Sequence, residues 1–309
     1  MHLSVAICTW NRARMLRQTL DHLTRVQLPA GDEWELLVVD NNCTDGTGDV
    51  IAGFAGRLPV RCVREPSPGI SHARNTATRA ARGAYIVWID DDVIVAPDWL
   101  RSYREAFALR PEAAVFGGPI EPWFEGAPPA WLSRVWRRVG TAYAWRDFGA
   151  DAVPLSHERV PFGANFAVRA DVQRRMPYDP QLGVRPTSSA RGEETTVIRA
   201  ILAQGGAGWW VPHARVRHCI PAERQSVGYL RRYFSDIGQQ VAHADGAGDT
   251  RHFLGRPLWL WREALTAEAR YRVRRAVSSP DVWIDDLVHA SFTWGRFRKR
   301  GAPDASKDS

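Results

Sequence analysis

The sequence predicts an α/β fold built on a mixed, mainly parallel sheet and followed by a helical C-terminal extension. Three observations predict it. Through about residue 118, short apolar runs alternate with longer stretches of helical periodicity, the pattern of βαβ units. Two of the apolar runs end in carboxylates, Asp40 and the trio Asp90, Asp91 and Asp92, where strands of an open α/β sheet meet their ligand. Beyond Pro221 the remaining chain reads as helical.

Leu3 to Thr9 forms the first expected strand, and Met15, Leu16, Leu20 and Leu23 recur at helical spacing after it. Glu35 to Val39 is a β-rich run ending at Asp40, Asp45 and Thr47 mark a short helix, and Val60 to Val63 gives a third strand. After the Pro68-Gly69 turn, Ala73, Ala77, Ala80 and Ala81 make a small-residue helix, and Tyr85 to Ile89 is the most apolar strand. A helix begins near Pro97, which suits a first-turn position, and a strand at Ala114 to Phe116 leads into Gly117 and Gly118. Glu121 to Val160, rich in Pro, Trp and Arg, reads as an excursion covering the site, outside the sheet. The pattern resumes with a strand in Phe162 to Val168, a helix in Thr195 to Gln204, and strand material in Trp209 to His218 interrupted by Pro212.

The chain has 309 residues and is 45% apolar, enough to bury a full core and too apolar for wholesale disorder. Cys8, Cys43, Cys62 and Cys219 show no Cys-x-x-Cys spacing, so neither a zinc ribbon nor a disulfide framework is expected, and a reducing, cytoplasmic setting fits. Neither a secretory leader nor an apolar run of the ~20 residues that span a bilayer is visible. Of the basic residues only Lys299 and Lys307 are lysines, and the net charge of +7 comes without a nucleic-acid motif, so no nucleic-acid partner is expected.

Three consecutive carboxylates at a strand end concentrate like charge, which a divalent cation relieves. Mg²⁺ or Mn²⁺ on one or two carboxylates, with phosphate oxygens filling other positions, is the arrangement expected at a nucleoside-diphosphate site. Alone, the trio reads equally well as solvated or as capping the helix near Pro97. Other motifs decide the matter.

Ser4-Val5-Ala6-Ile7-Cys8-Thr9-Trp10-Asn11-Arg12, Leu37-Val38-Val39-Asp40-Asn41-Asn42, Thr44-Asp45-Gly46-Thr47, Gly69-Ile70-Ser71-His72-Ala73-Arg74-Asn75, Asp90-Asp91-Asp92 and Pro97-Asp98-Trp99-Leu100 together resemble the family 2 glycosyltransferases. Gly163-Ala164-Asn165 and Gly192-Glu193-Glu194-Thr195 look like that family's acceptor-side loop and acidic catalytic motif, so the resemblance covers roughly Met1 to Gly238. It implies a GT-A, Rossmann-like α/β/α sandwich and an inverting transfer from a nucleotide-diphosphate sugar to an acceptor hydroxyl, with a uridine donor as the family default. It also implies a domain at 1–238, with a nucleotide-sugar half to about 118 and an acceptor half from 119. Residues 239–309 remain as the extension with a polar tail.

By the same resemblance Thr9, Asn11 and Arg12 lie beside the donor nucleotide, Asp40 recognises its base and Arg74 contacts it, with Gly118 and Asn165 on the donor side. Asp90 and Asp92 are the ends of the Asp-x-Asp motif, Asp92 being the direct metal ligand and Asp90 serving ribose or metal. Asp91 is the weakest of the three. His218 matches a position where related enzymes place a metal histidine, although a structural role stays open, and Arg224 is expected to meet the diphosphate when a loop closes.

Displacement at an anomeric carbon needs a base for the acceptor proton. The family supplies the second acid of a Glu-Asp pair, which here is Glu194, with Glu193 as the alternative; the family's Asp is replaced by a Glu one methylene longer. The competing readings are a sugar-nucleotide-binding module without catalysis and a nucleotidyltransferase, the latter lacking its Gly-rich loop. Trp123, Trp131, Trp136 and Trp145 fit either sugar stacking or lid packing. After Gly238, Trp259, Leu260, Trp261, Tyr271, Trp283, Phe292, Trp294 and Phe297 alternate with Arg270, Arg272, Arg274, Arg275, Arg296, Arg298, Lys299 and Arg300. That mixture is expected of a segment lying on the cytoplasmic membrane face, where a glycan or lipid-linked acceptor is met, and equally of helices packing on the catalytic domain.

Overall fold

The computed structural model describes residues 1–185, 191–241 and 252–298. Its elements are β1 (His2–Thr9), α1 (Ala13–Leu23), β2 (Glu33–Asp40), α2 (Thr47–Ala52), β3 (Val60–Arg64), α3 (Ile70–Ala80), β4 (Tyr85–Asp90), β5 (Val93–Val95) and α4 (Trp99–Leu109). There follow β6 (Val115–Gly117), β7 (Ile120–Phe124), α5 (Ala130–Val139), β8 (Phe166–Arg169), α6 (Ala170–Arg175), α7 (Glu193–Ala203), β9 (Gly208–Trp210) and β10 (Val216–Ile220). The last are α8 (Val227–Val241), the hairpin β11 (His252–Phe253) and β12 (Arg256–Pro257), α9 (Leu258–Val277) and α10 (Pro280–Gly295).

Seven strands form one sheet in the order β3-β2-β1-β4-β8-β6-β9. The first four are mutually parallel, and β8 runs antiparallel to both β4 and β6. Alternation along each strand explains why the sheet is covered on both faces. Leu3, Val5 and Ile7 of β1 join Leu36, Val38, Val87 and Ile89 in one core cluster, whereas Ala6, Leu37, Val39, Ile86 and Trp88 point into a second. Leu16, Leu20 and Leu23 of α1 close the first face. On the second, the alanines Ala73 and Ala77 let α3 lie close to the strands.

The chain divides into two units. One comprises residues 1–123, 144–185 and 191–219, and the other residues 124–143, 220–241 and 252–298. The expected boundary after Gly238 falls inside α8, whose Leu230 belongs to one core with Tyr271, Trp283 and Ile284 beyond it. In the second unit Leu132, Val135 and Val139 of α5 pack with Leu230, Tyr271, Trp283, Ile284 and Leu287.

Several elements differ from the sequence reading. The Glu121–Val160 excursion contains β7 and α5, and β7 belongs to a second sheet ordered β5-β10-β7. Helix α5 forms because Leu132, Val135 and Val139 share one face, a spacing that the surrounding Pro and Arg obscure. The strand expected from Phe162 begins at Phe166. Pro97 lies before α4, outside its first turn, and α7 starts two residues early, at Glu193. Trp131 and Trp136 pack against Trp283, Phe124 and Tyr143 within the second unit. Lys299, Arg300 and the polar tail lie outside the described residues.

Candidate active site

The parallel register brings the strand ends together. Thr9 is opposite Asp40, and Cys8 is opposite Asp90, so the carboxyl ends of β2, β1 and β4 form one polar edge. The chain then turns through Asp91 and Asp92 into β5, which pairs with β10 and sets His218 opposite Val93.

The three aspartates have different environments. Asp90 is 38% exposed, while Asp91 and Asp92 are buried. The Asp91 carboxylate accepts from the Thr9 hydroxyl at 2.7 Å and from Arg12 Nη1 at 2.9 Å. The same Arg12 nitrogen donates to Asp92 Oδ2 at 2.8 Å, and Asp92 Oδ1 lies 3.3 Å from His218 Nε2. Burial raises the Asp91 pKa to about 6, with Arg12 opposing and Asp92 adding. Asp91 is therefore buried, with its carboxylate bonded to Thr9 and Arg12.

Asp90, Asp92 and His218 each offer a ligand atom, and these atoms lie within 4.8 Å of one another. Two carboxylates and an imidazole fit Mn²⁺ well, while Mg²⁺ prefers an all-oxygen shell. Partial burial and Asp92 raise the Asp90 pKa, with Arg74 opposing, which is the strain a cation relieves.

Arg74, on α3, is almost fully buried, with its guanidinium over Trp88, Phe166 and Tyr178 at 5.2, 5.5 and 5.6 Å. Its Nη2 is 3.9 Å from Asp90 Oδ1 and its Nε is 3.5 Å from Glu193 Oε1. Burial disfavours the cation, yet the acidic groups around it raise its pKa above the ordinary arginine value. Arg74 thus links the acidic trio to the paired glutamates.

Glu193 and Glu194 occupy the first turn of α7, where the helix dipole favours carboxylates. Glu193 is buried, and burial with the neighbouring Glu194 pushes its carboxyl up to about 8 against the pull of Arg74. Glu194 is half-buried, and its Oε1 accepts from the Gly163 N–H at 3.3 Å. A Cβ on Gly163 would lie 2.7 Å from Arg74 Nη2, so glycine there lets the loop reach both groups.

Other expected residues make contacts within the fold. Asn165 is fully buried: Trp99 Nε1 and Tyr103 Oη donate to its Oδ1, and its Nδ2 donates to the Pro119 and Ala214 carbonyls. With both ends engaged, its amide holds three segments together. Gly118 is part of that packing, since a Cβ there would lie 2.1 Å from the Ala214 carbonyl oxygen. Asn11 sits at φ 51° and accepts from Thr44 N at 2.7 Å, and Asp40 Oδ1 accepts from Cys43 N at 2.7 Å. Arg224 belongs to the second unit, in a short 3₁₀ turn whose carbonyl accepts from the Tyr143 hydroxyl. The sequence reading missed the cage of Trp88, Phe166 and Tyr178 around Arg74, because Tyr178 lies in a stretch with no periodic signal.

The profile "Glycosyl transferase family 2" matches residues 4–174, more than half the chain and all of the strand-end edge. The chain belongs to this family. It is 26% identical over 256 residues to glucosyl-dolichyl phosphate glucuronosyltransferase of Haloferax volcanii, covering 78% of this chain and 77% of the relative. It is 24% identical over 241 residues to the succinoglycan biosynthesis protein ExoM of Rhizobium meliloti, covering 77% and 74% respectively. The mannosyltransferase PcManGT of Pyrobaculum calidifontis, solved with GDP-Man and Mn²⁺, shares the fold with a TM-score of 0.59 at 19% identity, over 94% of this chain and 85% of that one. The architecture of this family 2 glycosyltransferase is GT-A.

Proposed function

We propose that this glycosyltransferase moves a sugar, with inversion, from a nucleotide-diphosphate donor to an acceptor hydroxyl in a cell-surface polysaccharide or a lipid-linked glycan. The observation that carries the reading is the chain of charged groups from Asp92 and His218 through Asp90 and Arg74 to the two glutamates, all at one edge of the sheet. The names of the polysaccharide-synthesis and dolichyl-phosphate relatives support the acceptor class. The GDP-Man and Mn²⁺ bound to the mannosyltransferase support the donor class and the ion.

Asp92, Asp90 and His218 would hold Mn²⁺ or Mg²⁺, which when bound neutralises the departing diphosphate. Arg12, fixed by Asp91 and Asp92, keeps Asp92 oriented with Oδ1 toward His218. Glu194 takes the acceptor hydroxyl proton: it is the more accessible glutamate, and Gly163 N–H holds its carboxylate. Glu193, buried against Arg74, is suited to fixing that arginine and not to meeting an acceptor. Glycosyl transfer passes the anomeric carbon from the leaving phosphate oxygen to the attacking oxygen in one displacement, which inverts it.

Steady-state transfer by the Gln variants tests this assignment. Glu194→Gln is expected to keep donor affinity and lose at least about a hundredfold in turnover, the scale of a general base, while Glu193→Gln loses less. The reverse order would move the base to Glu193.

A further inference from the structure

The second unit carries a surface that catalysis does not use. Helix α9 buries Leu260, Ala264, Ala267 and Tyr271 on one side, yet its opposite side is also apolar. Leu258, Leu265, Ala269, Val273 and Ala276 fall within a sector of about 80° at 3.6 residues per turn, and all are exposed, Leu265 at 56% and Val273 at 63%. Trp259 and Val277 widen the stripe, and Arg262 and Thr266 are the polar residues within it. At 1.5 Å per residue the face is about 30 Å long. An outward apolar stripe of that length is unusual on a protein surface.

Both edges of the stripe are cationic. Arg270 and Arg274 on one side share the buried Asp286, while Arg272 on the other shares Glu268 with Arg231. Two guanidinium groups per carboxylate leave each edge with excess positive charge. Beside the second edge, Arg231, Glu268, Tyr271, Arg272, Arg275 and Ala276 line an open depression of about 530 Å³. At the N-terminal end of the stripe, the hairpin β11–β12 presents Phe253 and Leu254 to solvent, with Leu254 at 76% exposure and φ 49° in its turn. Trp261 fixes this hairpin to α9 by donating from Nε1 to the Phe253 carbonyl at 2.8 Å.

We propose that the outer face of α9, with the β11–β12 tip, docks on an anionic lipid bilayer. An apolar stripe bordered by arginines is the pattern of a helix lying in the interface, its side chains entering the headgroup and acyl boundary while the guanidinium groups meet phosphates. No helix of the described residues is long and apolar enough to cross a membrane, so the contact is lateral. A second copy on this face would set arginine edge against arginine edge, which disfavours it. Of the residues the sequence drew attention to, Trp259 and the arginines remain at this surface, while Tyr271 and Trp283 are core. The proposal is independent of the donor chemistry.

The test is co-sedimentation of the whole chain with vesicles of phosphatidylcholine alone, or of equal parts phosphatidylcholine and phosphatidylglycerol. The protein is expected to pellet with the anionic vesicles at low salt and to be released as salt rises. The double variant Leu265→Glu with Val273→Glu should partition at least about tenfold less, with wild-type thermal midpoint and donor hydrolysis. Two results would overturn the proposal: no binding of the wild type to anionic vesicles, or equal binding by the variant. A concentration-dependent dimer in sedimentation velocity, abolished by the same variant, would assign the face to a second copy instead.

Discussion

Arginine serves opposite ends in the two units. At the carboxyl end of β4, Arg12 and Arg74 are each flanked by two carboxylates, Arg74 in a buried position and Arg12 in a half-buried one. Along α9 the ratio is inverted, with Arg270 and Arg274 sharing one carboxylate and Arg231 and Arg272 another, and the guanidinium groups reach solvent. In the first case arginine orders acidic groups that would otherwise repel; in the second the acids hold arginines in place at a surface. The positive charge of the chain is therefore not one property but two, and substitutions should separate them.

The largest effect is expected where the cation is most enclosed. Arg74→Met removes the buried guanidinium from the Trp88, Phe166 and Tyr178 cage and takes away the partner of Asp90 and Glu193, and should cost about 3 kcal/mol in urea unfolding. A loss under about 1 kcal/mol would mean that the guanidinium is no more integral than those on α9.

Asn165→Ala comes next. It strips two carbonyls and two side-chain donors of their partners at a fully buried position, for a cost of about 2–3 kcal/mol in the same measurement. Retained stability with lost donor binding would return Asn165 to the donor side.

Glu193 sharpens the comparison through pH. Its folded-state pKa, about 8, stands above the ordinary glutamate value, so the folded protein binds the extra proton. The group costs nothing at low pH, and its destabilising contribution grows as pH rises from the ordinary value through about 8. The thermal midpoint of Glu193→Gln relative to wild type should therefore shift upward between acidic and mildly alkaline buffer. A constant difference would show that Arg74 keeps Glu193 ionised throughout.

On α9 the expected stability change is the smallest: Leu265→Glu alone should move unfolding by no more than about 0.5 kcal/mol, because the side chain has little to lose. A larger loss would mean that the stripe is covered in the folded chain.

The sheet was legible because β1, β2 and β4 are short continuous apolar runs that end at polar turns, a local pattern that also carried the strand-end carboxylates. The resemblance supplied Glu193 and Glu194. What stayed hidden depends on distant partners. Asn165 draws its hydrogen bonds from Trp99, Tyr103, Pro119 and Ala214, which no local spacing connects. Asp91 was set apart from its neighbours only by the resemblance, and the partners that take its carboxylate, Thr9 and Arg12, lie about 80 residues away in the chain. The α9 face was masked because apolar residues on two opposite sides of one helix give no single periodic stripe, so the aromatics drew notice while Leu265 and Val273 did not.

Asp92 and His218 are expected to form one end of a cation-dependent donor site, and calorimetry of nucleoside diphosphate binding with and without Mn²⁺ tests this most directly. Wild-type protein is expected to bind at least about tenfold more tightly with the ion, a coupling of about 1.4 kcal/mol, and Asp92→Ala should bind equally weakly in both conditions. The same Mn²⁺ enhancement in Asp92→Ala as in wild type would contradict it.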